Sequence, residues 1–440
     1  MSSHLVAGLI ALVLLLLLPG TARAQGAPDG CDGTALLRGL CLSNTETFDA
    51  IANLRGGVRR GIAGMSQTET QLTADLGVLA GLDGWTAQIS TFLLLGQQVS
   101  IDRIGGMAPA SNIEALATFR LNEMWIERQF GAWGSLRIGQ LAADSEFAVA
   151  EGAINLVSGT FGWPVAFGSN LPGTGHGYPL PGPGARLTLG KPDAGTGLRL
   201  AIFAGNPAGR YAPDTDPQRH DRYGTVISFS GGALMIAEAT TGGTRPDDES
   251  PRPWVAKLGF WYHNGGFNSQ RTDNNGLPLA SPLSDGQPWR YGNNHGVYTV
   301  LESELARHGQ GAVMTYLRAL AQLPDRSLVS LQVDGGLVWR NPFGRSGDAA
   351  ALGVSWARIG RGARGYDLDS IAFGNPTPVR SQETLVELNY AFTVLPDRLW
   401  IQPLTQLILN PAAGAPDERR SPTQSLPNAV TVGLRAVARF

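Results

Sequence analysis

The sequence predicts an all-β fold, a transmembrane antiparallel up-and-down β-barrel of about 16 strands with one long loop folded inward. Three observations predict it. Apolar residues alternate with polar or small ones along nearly the whole chain, the period of a strand. Only 16% of the 440 residues are charged, while 58 are Gly and 28 Pro, a load of turn formers that excludes a helical bundle. Short turns alternate with long connections, as they do in outer-membrane barrels. The 36 acidic and 34 basic residues nearly cancel, so no basic field exists to hold nucleic acid. Past the first residues no apolar run reaches the roughly 18 that a spanning helix needs.

The first element is an address. Leu5 to Leu18 form an apolar core, Pro19-Gly20 break it, and Ala22-Arg23-Ala24 offers small residues to a signal peptidase. Residues 1–24 are expected to be a cleaved signal peptide, 25–39 a short periplasmic segment and 40–440 the barrel. The two cysteines, Cys31 and Cys41, fall near the mature N-terminus. Export to an oxidising compartment allows a disulfide between them; the alternative is two unpaired thiols. Two thiols with no histidine pair nearby supply too few metal ligands, and no cofactor is expected.

Strand segments follow at roughly 40–52, 71–80, 85–95, 117–129, 135–141, 185–190, 198–204, 224–239, 254–264, 296–305, 312–320, 328–340, 349–358, 382–394, 399–409 and 428–440. Leu258, Phe260 and Tyr262 share one face of their segment, opposite Lys257, Gly259, Trp261 and His263. In the last segment Val430, Val432, Leu434, Ala436, Ala438 and Phe440 oppose Thr431, Gly433, Arg435, Val437 and Arg439. Arginines on an inward face are expensive in a packed core and ordinary in a water-filled lumen. Gly81-Leu82-Asp83-Gly84, Gly131-Ala132-Trp133-Gly134 and Leu395-Pro396-Asp397-Arg398 read as periplasmic turns, and long loops fall at about 142–184, 265–295, 359–381 and 410–427. An aromatic residue, Phe440, closes the last strand, as the assembly of outer-membrane barrels commonly requires.

Parity then supplies pore-lining candidates. With Met124 and Ile126 facing lipid, Glu123, Trp125 and Glu127 face inward; a one-residue bulge would instead put Trp125 on the aromatic girdle. Arg137, Lys257, Trp261, Asp334, Arg340, Glu387, Gln402, Gln406, Arg435 and Arg439 face inward by the same count, and Glu114, Arg120 and Arg186 complete the set. Lys191 and Lys257 are the only lysines. The remaining cations are therefore arginines, whose planar fork suits paired hydroxyls. Acids and arginines together would impose a field that favours polar neutral solutes. The Ala142 to Gly184 connection is too long and too rich in Gly, Pro and aromatics for a floppy tip, and is expected to form the constriction. Phe161, Trp163, Asn170, His176 and Tyr178 would be its tools; the alternative is rigid packing at a subunit interface.

Several runs strongly resemble the carbohydrate-selective porins of Gram-negative outer membranes, the OprB-like family. They are "RLNEMWIERQF" from Arg120, "LRIGQLAADSEF" from Leu136, "FGWPVAFGSNLPGTGHGYPLPGPGARL" from Phe161, "KLGFWYHNGGF" from Lys257, "ETLVELNYAF" from Glu383 and "NAVTVGLRAVARF" from Asn428. The resemblance implies a sixteen-stranded, homotrimeric barrel in the outer membrane through which carbohydrates, monosaccharides such as glucose, diffuse passively. The alternatives are a general diffusion porin and a structural barrel without sugar selectivity. The family often carries a longer N-terminal segment, so any role for that segment is in question here. An exported hydrolase is disfavoured: the chain has no G-x-S-x-G, H-E-x-x-H or Walker loop, and its six histidines show no metal-ligand spacing.

Overall fold

The computed structural model describes residues 33–210, 216–245, 252–417 and 419–440. The signal peptide expected over 1–24 and Cys31 lie outside them. Cys41, disulfide-bonded and buried, stands near the start of the first barrel strand. Ahead of it, Thr34–Leu37 folds back on that strand as a short hairpin, Thr34 opposite Leu42.

Sixteen antiparallel strands, each paired with its neighbour in sequence, form the wall: β1 Leu40–Arg55, β2 Gly61–Asp75, β3 Trp85–Gly96, β4 Thr118–Gln129, β5 Gly134–Leu141, β6 Gly182–Lys191, β7 Thr196–Ala204, β8 Ala233–Arg245, β9 Arg252–His263, β10 Asn294–His308, β11 Gly311–Gln322, β12 Val329–Arg340, β13 Ala349–Ile359, β14 Gln382–Leu395, β15 Leu399–Leu409 and β16 Ala429–Arg439. β16 pairs with β1, from Thr45↔Arg439 to Arg55↔Val430, so the sheet closes and leaves no edge. Connections at one end are turns of a few residues and at the other mostly loops of about twenty or more; in such barrels the long-loop end is external.

Alternation decides which face meets lipid. Leu258 (65% exposed), Phe119 (61%) and Leu388 (54%) point outward, while their neighbours Gly259, Arg120 and Glu387 are buried. Closed hydrogen bonding lets such a wall sit in hydrocarbon. Tryptophans mark its periplasmic rim: Trp85, Trp339 and Trp400 stand at strand ends beside turns, and Trp133 stacks on Phe130 within one.

Two segments differ from the sequence expectation. The strand expected at 71–80 runs over Gly61–Asp75, after which Asp75 caps the short helix Leu76–Ala80 by accepting from the Gly77 and Val78 amides. Residues 66–71 are polar on both faces, which erases the alternation: outward Thr68 donates to outward Glu46, and Asn44 to Thr70 at 3.3 Å. The strand expected at 224–239 starts only at Ala233. Gly231 and Gly232, at φ +86° and +93°, break the apolar run Val226, Ile227, Phe229, which stays in the preceding loop.

Candidate functional site

The lumen is not an open tube lined by solvated charges. The 142–181 loop folds into it and joins the 97–117 loop through Asn112 N to Val157 O (2.8 Å), Gly159 N to Pro109 O (3.0 Å) and Tyr178 Oη to Ile113 O (2.9 Å). Phe147, Leu156, Phe161 and Phe167 give this plug its own apolar core, packed against the wall residues Trp261, Tyr298 and Tyr316. Gly353, inward on β13, leaves the space that Leu156 and Phe161 occupy.

Wall side chains hold the loops by their backbones, because a loop inside a barrel must satisfy its amides and carbonyls without a neighbouring strand. Glu387 accepts from Val157 N (2.6 Å) and Ser158 N (2.8 Å), Glu383 from Met107 N and Ala108 N (both 2.8 Å), and Glu302 from Gly152 N (2.8 Å). Lys257 donates to Val149 O (2.7 Å), Gln402 to Asn155 O (2.7 Å) and Gln406 to Ala110 O (2.7 Å). Arg318, fully buried on an ion pair with Asp334 at 2.9 Å, donates to the carbonyls of Ala148, Thr160, Phe161 and Gly162. Arg435 grips Asp49 (2.7 and 2.8 Å) and Asn112 (2.6 Å), so this arginine is a buried clamp rather than a solvated lumen charge.

Other candidates also sit in this scaffold. Glu114 accepts from Ser100 N (2.8 Å) and Oγ (2.6 Å) within the 97–117 loop, and Arg120 pairs with Asp221 at 3.2 Å. Asn170 donates to Val329 O (2.7 Å) and Gln322 (2.9 Å). Trp163 donates to Thr174 O (2.7 Å) and stacks on Phe167, which Trp261 meets edge-on. Arg340 and Arg439 are exposed near the periplasmic rim.

Five candidates converge elsewhere. Glu123, Trp125, Glu127, Arg137 and Arg186 line a cavity of about 840 Å³ between the loop plug and the periplasmic turns, together with Gln88, Glu146 and Arg199. Register places them: Glu127 lies opposite Arg137, and Arg137 opposite Arg186, on β4, β5 and β6. Arg199 follows on β7, its neighbours Leu200 and Ile202 facing out. Glu127 bonds Arg137 (2.7 Å) and Arg186 (3.2 Å); Glu146, from the loop, bonds Arg137 (2.8 Å) and Arg186 (3.0 Å) and lies 3.8 Å from Arg199. Arg199 also pairs with Asp193. The Arg137 guanidinium lies 3.8 Å from the centre of the Trp125 ring. Acids and arginines are interleaved at bonding distance, so the wall presents fixed donor and acceptor pairs beside an aromatic face. Glu146 and Arg199 were not among the sequence candidates; parity within "LRLAIF" identifies Arg199, whereas Glu146 lies in a loop with no period.

Burial shifts the titrating groups of the loops. It pushes Glu114 up to about 7 against its Ser100 bonds, and Asp144 up to about 6 against backbone amides that include Tyr178 N. It holds His176 down to about 3, with His263 nearby adding to the effect, and raises the Tyr178 phenol.

The family description "Carbohydrate-selective porin, OprB family" matches residues 59–440. Among solved structures, the high-pH structure of Pseudomonas putida OprB is 19% identical with a TM-score of 0.77, covering 91% of this chain and 94% of that one. The low-pH structure of the same protein is 13% identical with a TM-score of 0.51, covering 91% and 93%. A loop-deletion mutant of OmpT from Vibrio cholerae is 8% identical with a TM-score of 0.50, covering 91% and 99%. No curated protein matches the sequence.

Proposed function

Because the chain belongs to the OprB family of carbohydrate-selective porins, outer-membrane channels and not enzymes, we propose that its solutes are monosaccharides such as glucose. We further propose that they are selected beside Trp125. The chain reaches the outer membrane after removal of residues 1–24. The observation that carries this reading is the Arg137, Arg186 and Arg199 ladder, interleaved with Glu127 and Glu146 next to an aromatic ring.

A passive channel breaks no bond, so its chemistry is binding firm enough to favour entry and weak enough to allow release. Guanidinium forks donate to neighbouring hydroxyls, the carboxylates accept from them, and the indole covers the C–H face of the ring. The pairs are made before the solute arrives, so little ordering entropy is lost on binding.

Liposome swelling with glucose, a disaccharide and a polyol tests this. Glucose is expected to enter fastest, and Trp125→Ala to weaken its half-saturation roughly three- to tenfold, the equivalent of about 1 kcal/mol of lost ring contact. Entry that follows solute size alone, unchanged in Trp125→Ala and Arg186→Gln, would make the protein a general diffusion porin. No entry at all would make it a structural barrel.

A further inference from the structure

At the external end of the β1–β2 hairpin, four arginines share one corner: Arg55, Arg59 and Arg60 in and beside the turn, and Arg103 in the neighbouring 97–117 loop. The corner is built. The buried Asn53 amide donates to the carbonyls of Gly56 (2.9 Å), Arg59 (3.0 Å) and Arg103 (3.0 Å), and Arg59 N donates to Arg103 O at 3.0 Å. Arg59 Nε donates to Asp102 O (3.0 Å), and the Arg103 guanidinium lies over Gly61 with its Nε buried and without a hydrogen-bond partner. No ion pair joins any of the four to an acid among the described residues; Asp102 is the acid nearest in sequence. Beside them the wall exposes Leu54 (50%), Ile62 (52%) and Leu95 (53%), and the 97–117 loop exposes Ile101 (62%).

Cations unpaired at the external rim, next to an outward apolar surface, match the two ends of a phosphorylated lipid. Acyl chains would lie along Leu54, Ile62 and Leu95, and phosphate would meet the guanidinium forks at headgroup height. We propose that this corner binds the phosphorylated headgroup of an outer-leaflet lipid. The site rests on the outer-membrane placement but not on the sugar selectivity proposed above, since it lies at the external rim, at the opposite end of the wall from the cavity beside Trp125 and the periplasmic turns.

Native mass spectrometry of the full chain in detergent tests it, with bisphosphorylated lipid A as probe. Its fully dephosphorylated counterpart and inorganic phosphate serve as comparators. A one-to-one adduct is expected with the bisphosphorylated lipid, weakened about fivefold for each guanidinium removed: about 25-fold in Arg59→Gln/Arg60→Gln and about a hundredfold when Arg103→Gln is added. The double variant leaves the Arg103 side chain in place, so it decides the matter if the triple variant fails to fold. Arg361→Gln/Arg364→Gln, on exposed arginines of another external loop, should bind like the wild type. Equal binding by the double variant and wild type, equal binding of the dephosphorylated lipid, an equal loss in the control variant, or displacement by millimolar inorganic phosphate would each overturn the proposal. Glucose entry measured on the same preparations is scored separately, so a failed sugar result and a failed lipid result stay distinguishable.

Discussion

His176 is buried with neither ring nitrogen hydrogen-bonded to a protein group, packs tilted against Phe203 with ring centres 4.8 Å apart, and sits at the root of the 142–181 loop. Its folded pKa of about 3 lies below the ordinary value of 6.5, so the unfolded chain binds the extra proton between those limits. The stability that neutral His176 permits is complete above pH 6.5 and falls by about 1.4 kcal/mol per pH unit below it, until about pH 3. In His176→Phe this loss is expected to vanish, so the melting temperature of wild type minus variant should drop steadily from pH 6.5 downward. A constant difference would show that the folded imidazole takes up its proton at the ordinary pH and is not held neutral by burial. Glu114 runs the opposite way: its folded value is raised to about 7, so its contribution is complete below 4.5 and lost as pH rises through 7. Glu114→Gln should therefore melt relatively better than wild type above pH 7 and lose that advantage on acidification. At this scale the sequence was partly legible. Parity placed Trp125, Glu127 and Arg137 on the inner face, because a strand leaves a side chain only two directions. It could not tell that Glu387 and Lys257, on the same face, would be used up by loop amides and a loop carbonyl, because those partners come from a segment with no period.

At the scale of the element, the 142–181 loop depends on the wall more than on itself. Its helices, Gly159–Gly162 and Val165–Asn170, are too short to be stable alone. Arg318 serves four of its carbonyls and a buried carboxylate at once. Arg318→Leu leaves Asp334 charged and unpaired in a dry site, and should cost about 3–5 kcal/mol in thermal unfolding. Adding Asp334→Leu should recover only part, because the carbonyls of Ala148, Thr160, Phe161 and Gly162 still lack a donor. Full recovery would mean that the loop carbonyls find other partners. Strand periods read well wherever one face is oil and the other is not. They failed at 66–71, where Thr68 and Glu46 carry polarity onto the outer face, and at 224–232, where paired glycines end an apolar run before the sheet begins.

For the whole molecule, wall and plug are separate structural problems. The wall closes through its own ladder from β1 to β16, while the loops add inner packing and hydrogen bonds. Replacing residues 150–175 with a short Gly-Ser linker should leave a barrel that still resists unfolding in detergent at room temperature. It should melt at a lower temperature and conduct ions several-fold better. Failure of this variant to form sheet, read by circular dichroism, would show that the plug is needed for closure. Strand count and closure were legible from sixteen alternating segments and their unequal connections; the depth to which the loop fills the lumen was not, since its hydrogen bonds join residues up to 247 positions apart.

The grip of the wall on the loop through Glu387, Glu302 and Arg318 has a consequence for diversification. Most of these bonds end on main-chain atoms of the loop, so its side chains can be exchanged without loosening the moorings. A lineage could retune the aperture by drift in one stretch of sequence while the cylinder around it stayed untouched.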